Sequence, residues 1–476
     1  MKPVQPPPLP RRRRTINLVP VVILVSGAVV CLVLVASFLH WRMGAHRAVD
    51  EGLAKVRAKG QPVNWTELDH WYPSVPEAEN AALVYTQAFA ILKSTFKPGQ
   101  GPYRWGELEL PRHSVEMAEP LRREVEEAVQ TSAAALEYAH RAAALPRCRY
   151  PVDLTEGPGS KLPHLAPLRG LVHLLEFEAL VRARAGQRSE AAESVLASLA
   201  ISRSLLAEPI LASQFVSTGV EDSACRGLER TVSCGPLGDD QLSRLSQCLA
   251  DLESTNRYAR GLAGERAMYA GVFVLAQTDP DKLKRLFPED RADEEEPSAG
   301  PLRVMGWRGL GLVERELGFY LGAVETNIVA LSLEPPDSIT ASRRVSNALE
   351  KELLRPEHWF SRMFLQGPTG LAKKDAEGRA NLRTARTGLA IERWRLSHGN
   401  ELPESLDVLV PQFLAAVPLD PFDGQPLRFK RLDRGYVVYS IGRDGRDDGG
   451  KEKPLRSVKM PAEQRQRYDV TFIVDR

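Results

Sequence analysis

The chain has 476 residues, 43% hydrophobic and 26% charged, with 63 Lys and Arg against 61 Asp and Glu, a net charge of +2. At roughly 100–200 residues per domain, this length predicts more than one domain, and the composition excludes a disordered chain, a collagen and a coiled-coil rod. Without a basic excess, nucleic acid is not an expected partner. Aromatics are only 7% and Ala and Leu abound, which favours helices.

Residues 1–15 form a Pro/Arg-rich segment, with five prolines among the first ten residues and then Arg11 to Arg14. It has nothing to bury and is expected to be a disordered tail. Residues 18–39 follow as 22 residues without a charge. As a helix they reach about 33 Å, enough for a roughly 30 Å hydrocarbon core. Residues 16–39 are therefore expected to be a transmembrane helix. A cleaved signal peptide would have an apolar region of roughly 7–15 residues, shorter than this one, although Val35-Ala36-Ser37 offers a cleavage site as the alternative. Lys2 and Arg11 to Arg14 precede the span, against Arg42 and Arg47 in the fifteen residues after it. The positive-inside rule then puts the N-terminus in the cytoplasm and the body in the periplasm, a single-pass protein of the inner membrane.

From residue 40 to 375 the pattern predicts an exported α-helical domain. Ala81, Tyr85, Ala88, Phe89 and Leu92 share one face of a helix over 77–92. Segments 165–184 and 189–207 flank Gly186 as an αα-hairpin. Further helices are expected over 210–230, 241–253 and 258–277. The 165–207 hairpin resembles one tetratricopeptide-like unit, but no second copy follows at a period of about 34 residues, so an irregular bundle of hairpins is expected. Residues 289–297 read as an acidic, solvated loop. Trp65 and Trp71 suit packing against the bundle, with a membrane-interface belt as the alternative. Glu265-Arg266 reads as a surface ion pair, with a buried ion pair or part of a polar site as the alternative. Cys148, Cys225, Cys234 and Cys248 are expected to be free buried thiols, with a disulfide among the last three as the alternative.

Near residue 375 the pattern changes. A helix over 375–397 ends at His398-Gly399-Asn400, and Pro403 opens a short helix with Leu406 and Leu409 inward. Strand-like runs over 427–430 and 436–441 are joined by Leu432-Asp433-Arg434-Gly435, and a last strand is expected over 469–474. With Gly399-Asn400-Glu401-Leu402-Pro403, then Val417-Pro418-Leu419-Asp420-Pro421-Phe422, Gly435 to Gly442, and Asp447-Asp448-Gly449-Gly450, residues 376–476 resemble the C-terminal domain of the type II secretion major pseudopilin, protein G. The resemblance implies a small α+β domain with an antiparallel sheet. The pseudopilin cleavage glycine and Phe-Thr-Leu-Ile-Glu start are missing, since the span here follows Arg14-Thr15-Ile16-Asn17. That departure favours a borrowed domain on a protein resembling the large membrane-anchored multi-domain proteins of planctomycete-like bacteria.

Residues 442–450 gather three carboxylates and four glycines, a donor set suited to a hard cation that takes six to eight oxygens. The resemblance implies calcium, with Asp444, Asp447 and Asp448 as ligands. Arg443 and Arg446 leave a solvated, salt-bridged turn open as the alternative. No HExxH, GxSxG, Walker A or GxGxxG motif is present. The sequence thus reads as mainly α: one membrane helix, a helical hairpin bundle and a pseudopilin-like domain. As a function it points to an exported scaffold that binds another envelope protein. A secretion-system component and an extracytoplasmic hydrolase with scattered site residues are the alternatives.

Overall fold

The computed structural model describes residues 19–97, 100–113, 115–286, 310–365, 367–455, 461 and 467–476. The expected tail over 1–15 and the acidic loop over 289–297 lie outside them.

Helix α1 is one continuous helix, Val19–Ala58. Pro20 sits in its first turn, where no intrahelical N–H bond is lost. Leu24 is 74% exposed and Leu34 64%, and none of the apolar window is buried in the protein. By length and composition α1 can cross a membrane. Its last turns behave differently: Val49 and Val56 are buried, and Leu53 packs against the same core as Val49. One helix therefore serves two environments.

The body is a bundle of helices. Helices α2 (Trp65–Trp71), α3 (Ala81–Thr95), α4 (Pro102–Trp105), α5 (Glu119–Thr131) and α6 (Ala133–Ala143) come first. Asn80 caps α3 by accepting from the Ala82 N–H at 3.1 Å. Next are α7 (Leu165–Arg184), α8 (Arg188–Leu205) and α9 (Leu211–Ser233). The α7–α8 hairpin turns at Gly186, whose φ of +79° is costly for any residue with a Cβ. Then come α10 (Asp239–Glu253), α11 (Arg257–Thr278), α12 (Pro280–Leu286), α13 (Leu312–Leu331), α14 (Asp337–Leu353) and α15 (Trp359–Phe364).

Two local expectations are decided by packing. Trp65 donates its indole N–H to the Met268 carbonyl at 2.7 Å, and Arg260 stacks 4.1 Å over Trp71, so both tryptophans belong to the bundle. Arg266 is not on the surface. It is fully buried and donates to Glu325 Oε2 at 2.5 Å and Gln61 Oε1 at 2.6 Å. All five cysteines are free.

The last helix, α16, runs Pro368–Ser397, starting with proline at its first position rather than at residue 375. Three strands follow in the order β1-β2-β3, all antiparallel: β1 (Arg428–Leu432), β2 (Gly435–Ser440) and β3 (Val470–Asp475). Leu432 pairs with Gly435, which leaves a two-residue hairpin turn, Asp433-Arg434. Alternation sorts the faces. Tyr436, Val438, Phe472 and Val474 point inward, while Val437, Tyr439 and Ile473 form a small cluster on the opposite face. The inner face joins a core supplied by Leu382 and Leu389 of α16, Leu228 of α9, and Leu245 and Leu249 of α10. Sheet and bundle thus share one core.

Candidate functional site at the seam of helices and sheet

The chain from β2 to β3 first makes a glycine-rich turn. Gly442, Gly445, Gly449 and Gly450 all have positive φ, which lets the backbone fold tightly on itself. Asp444 is exposed and accepts from the Arg446 N–H at 3.1 Å, and Asp447 accepts from the Gly449 N–H at 2.9 Å. These are local Asx turns. A residue outside the expected ligand set organises the rest. Asp469, 1% exposed just ahead of β3, accepts from the Asp448 N–H at 3.3 Å and the Gly450 N–H at 2.7 Å. Burial raises the Asp469 carboxyl above its usual range, the two N–H donors oppose this, and the Asp447 and Asp448 carboxylates raise it further.

Three acidic side chains, Asp447, Asp448 and Asp469, are therefore neighbours, and Asp448 Oδ2 is buried without a hydrogen-bond partner. An orphaned buried carboxylate oxygen beside two more acids suits a hard cation in donor chemistry, although the three carboxylates as placed do not converge within the 4.8 Å that one coordination sphere needs. Asp444 is turned to solvent and, among the described residues, makes no hydrogen bond to this group. Arg428 is the competing charge, lying 3.5 Å from Asp447 Oδ2. Its main duties are elsewhere, on Asp420 at 2.7 Å and in a short ion pair with Asp423. Asp420, from the Pro-Leu-Asp-Pro stretch, is fully buried and also accepts from Ser440 Oγ at 2.7 Å and the Ile441 N–H at 2.9 Å. That aspartate locks the start of the turn.

Two residues beyond Gly450 the chain reaches the bundle. Glu452 Oε2 lies 3.3 Å from His113 Nε2 and 2.5 Å from Arg112 Nη1. On its other side His113 Nδ1 lies 3.1 Å from Glu229 Oε1, a residue of α9. Burial alone would lower the imidazole, but Glu229 and then Glu452 raise it to about 10. His113 is thus an imidazolium held between two carboxylates. It adopts φ of +51°, an uncommon backbone for a non-glycine residue. Glu229 closes the circuit by accepting the Ile473 N–H of β3 at 2.9 Å. Among the described residues, His113, Glu229 and Glu452 also form the one group of ligand-type side chains with all donor atoms within 4.8 Å. Their opposed arrangement on the two ring nitrogens is that of a charge clasp, hydrogen-bonded at Nε2 and in ion-pair range, without a hydrogen bond, at Nδ1.

Beside the clasp lies an open cleft of about 290 Å³, lined by Glu176, Arg226, Arg230, Asp469 and Phe472 among others. Several of its charges are paired across it. Arg230 makes a short ion pair with Glu176 and donates to the Pro111 carbonyl at 2.9 Å. Burial would raise the Glu176 carboxyl, but Arg230 and His173 bring it down to about 2. The seam is therefore a polar, partly ion-paired contact that holds the Asp-rich turn against α9. His113, Glu229 and Glu452 come from three distant parts of the chain, and only tertiary contact gives them meaning. Asp469 carried a signal, its place beside the final strand, but no local acidic neighbour.

No family model, curated protein or solved structure matches the chain.

Proposed function

We propose that this is a membrane-anchored, exported scaffold whose C-terminal protein G-like domain binds calcium and whose helical body engages another envelope protein. The observation that carries the reading is the single helix α1, bare and apolar over residues 23–39 and gripped by the body core from Val49 onward. A cleaved leader has no need to continue as a structural helix of the folded body. The basic excess ahead of the span favours a cytoplasmic N-terminus and a periplasmic body on the inner membrane. A long helix packed on a three-stranded antiparallel sheet, with an acidic glycine-rich turn between β2 and β3, supports the resemblance to the pseudopilin domain. Asp447, Asp448 and Asp469 would hold calcium, which would supply charge neutralisation and order in the turn.

Reporter fusions at Arg476 test the placement. An alkaline phosphatase fusion is expected to be active and membrane-bound, and a green fluorescent protein fusion routed through the general secretion pathway dark. A silent phosphatase with a bright fluorescent fusion overturns the reading.

A further inference from the structure

The body does more than hang from α1. Helix α13 lies alongside the emerging part of α1 and runs in the same direction. A Cβ on Gly311 would sit 3.4 Å from Arg42 and 3.5 Å from Trp41. Glu314 lies 3.4 Å from His46, and Cβ atoms on Gly318 and Gly52 would sit 3.9 Å from Val49 and 3.6 Å from Leu321. An ion pair between Lys59 and Glu325 ends the series. Position along α1 therefore sets position along α13, and both rise about 1.5 Å per residue.

The apolar run ends at Leu39, so Trp41 and Arg42 lie about 3–5 Å beyond the hydrocarbon edge. The headgroup layer is about 5–7 Å deep on each side. The beginning of α13 falls in the same layer. Its side chains there suit that environment: Leu310 is 52% exposed, Met43 on the adjoining turn of α1 is 50% exposed, and Arg315 is exposed and lies 5.4 Å over the Trp41 ring. An apolar tip, an indole and guanidinium groups at one level match the acyl boundary and the phosphates above it. The acid at this level, Glu314, is buried and lies 3.4 Å from His46.

We propose that the start of α13, with Arg315 and with Leu310 just ahead of the helix, rests in the phospholipid headgroup layer beside Trp41 and Arg42, as a second attachment of the body to the bilayer. This rests on the reading of α1 as a membrane span. The occupant of this small surface is the lipid headgroup itself, because the rigid continuation of α1 carries Leu310 there without any hinge. Two contacts at one level fix the rotation of the body about the span axis, which a single helix cannot do.

The full chain is reconstituted in vesicles of phosphatidylethanolamine and phosphatidylglycerol, with the photocrosslinker p-benzoylphenylalanine replacing one exposed residue at a time. The positions are Leu32 in the span, Leu310, and Val329, which is 55% exposed and about 28 Å further along α13. After irradiation, mass spectrometry is expected to find lipid adducts at Leu32 and Leu310, several-fold above Val329. Adducts at Leu32 with Leu310 no higher than Val329 overturn the second attachment and leave the span standing. Absence of adducts at both Leu32 and Leu310 overturns the span itself.

Discussion

His113 and Glu229 meet at 3.1 Å across the seam, and the other oxygen of the same carboxylate holds the Ile473 N–H of β3 at 2.9 Å. A charged imidazole and a strand therefore hang on one glutamate. Because the folded state raises His113 to about 10 from an ordinary 6.5, its contribution to stability is complete below about pH 6.5 and is lost as pH rises through 10. Thermal unfolding followed from about pH 7 to 10 is expected to show a falling midpoint in the parent protein. Glu229→Gln keeps an acceptor for Ile473 but removes the charge, so it should lower the midpoint at neutral pH and flatten that slope. An unchanged slope would mean that His113 is neutral in the fold.

Calcium should act on the whole chain, since the turn that would bind it leads within two residues to Glu452 and the clasp. Millimolar calcium is expected to raise the unfolding midpoint of the full-length protein relative to chelator, by mass action on the folded state. Asp448→Asn and Asp469→Asn should each abolish that shift, whereas Asp444→Asn should reduce it less. Isothermal titration calorimetry of the parent with calcium checks the same point directly, and absence of heat with coincident melts refutes the site.

Arg266 is fully buried and bonded to both Glu325 and Gln61, a fork that tethers α11 to α13 and to the chain leaving α1. Removing Arg266 takes the donor from Gln61 Oε1 and leaves Glu325 to Lys59 alone, so the cost lies below the roughly 3–5 kcal/mol of a fully buried broken pair. Arg266→Ala is therefore expected to lower denaturant resistance. Arg266→Lys should recover only part of the loss, because an ammonium has no planar fork to span two acceptors. Equal stability of the parent and Arg266→Ala would place this side chain in water.

Phe472 packs against Gly388 of α16 so closely that a Cβ on that glycine has no room. Phe472→Ala should cost about 3–5 kcal/mol through the cavity it leaves, and Gly388→Ala about 1–3 kcal/mol through overpacking. Since the inner face of the sheet shares a core with α9 and α10, each variant should shift one common transition. Calorimetry showing a sheet transition that moves alone, with the bundle unchanged, would overturn the shared core.

Wherever a local rule decides the outcome, the sequence alone was enough. The 22 uncharged residues demand a helix that water cannot cover, Gly186 demands a turn, and alternation from Tyr436 to Ile441 demands a strand with two unlike faces. Those features depend on periods of a few residues. What the tertiary structure decided depends on separation. Nothing near Arg266 announces that Glu325 will neutralise it, so it reads as a surface charge until the helices pack. Nothing near His113 announces two glutamates more than a hundred residues away, and nothing in the acidic turn announces that Asp469 will close it. Likewise a pattern change near residue 375 marks a new local grammar, yet the hydrophobic faces on either side of it find each other and make one core. Charge pairing and core membership are properties of points in space, and a chain declares only its neighbours in sequence.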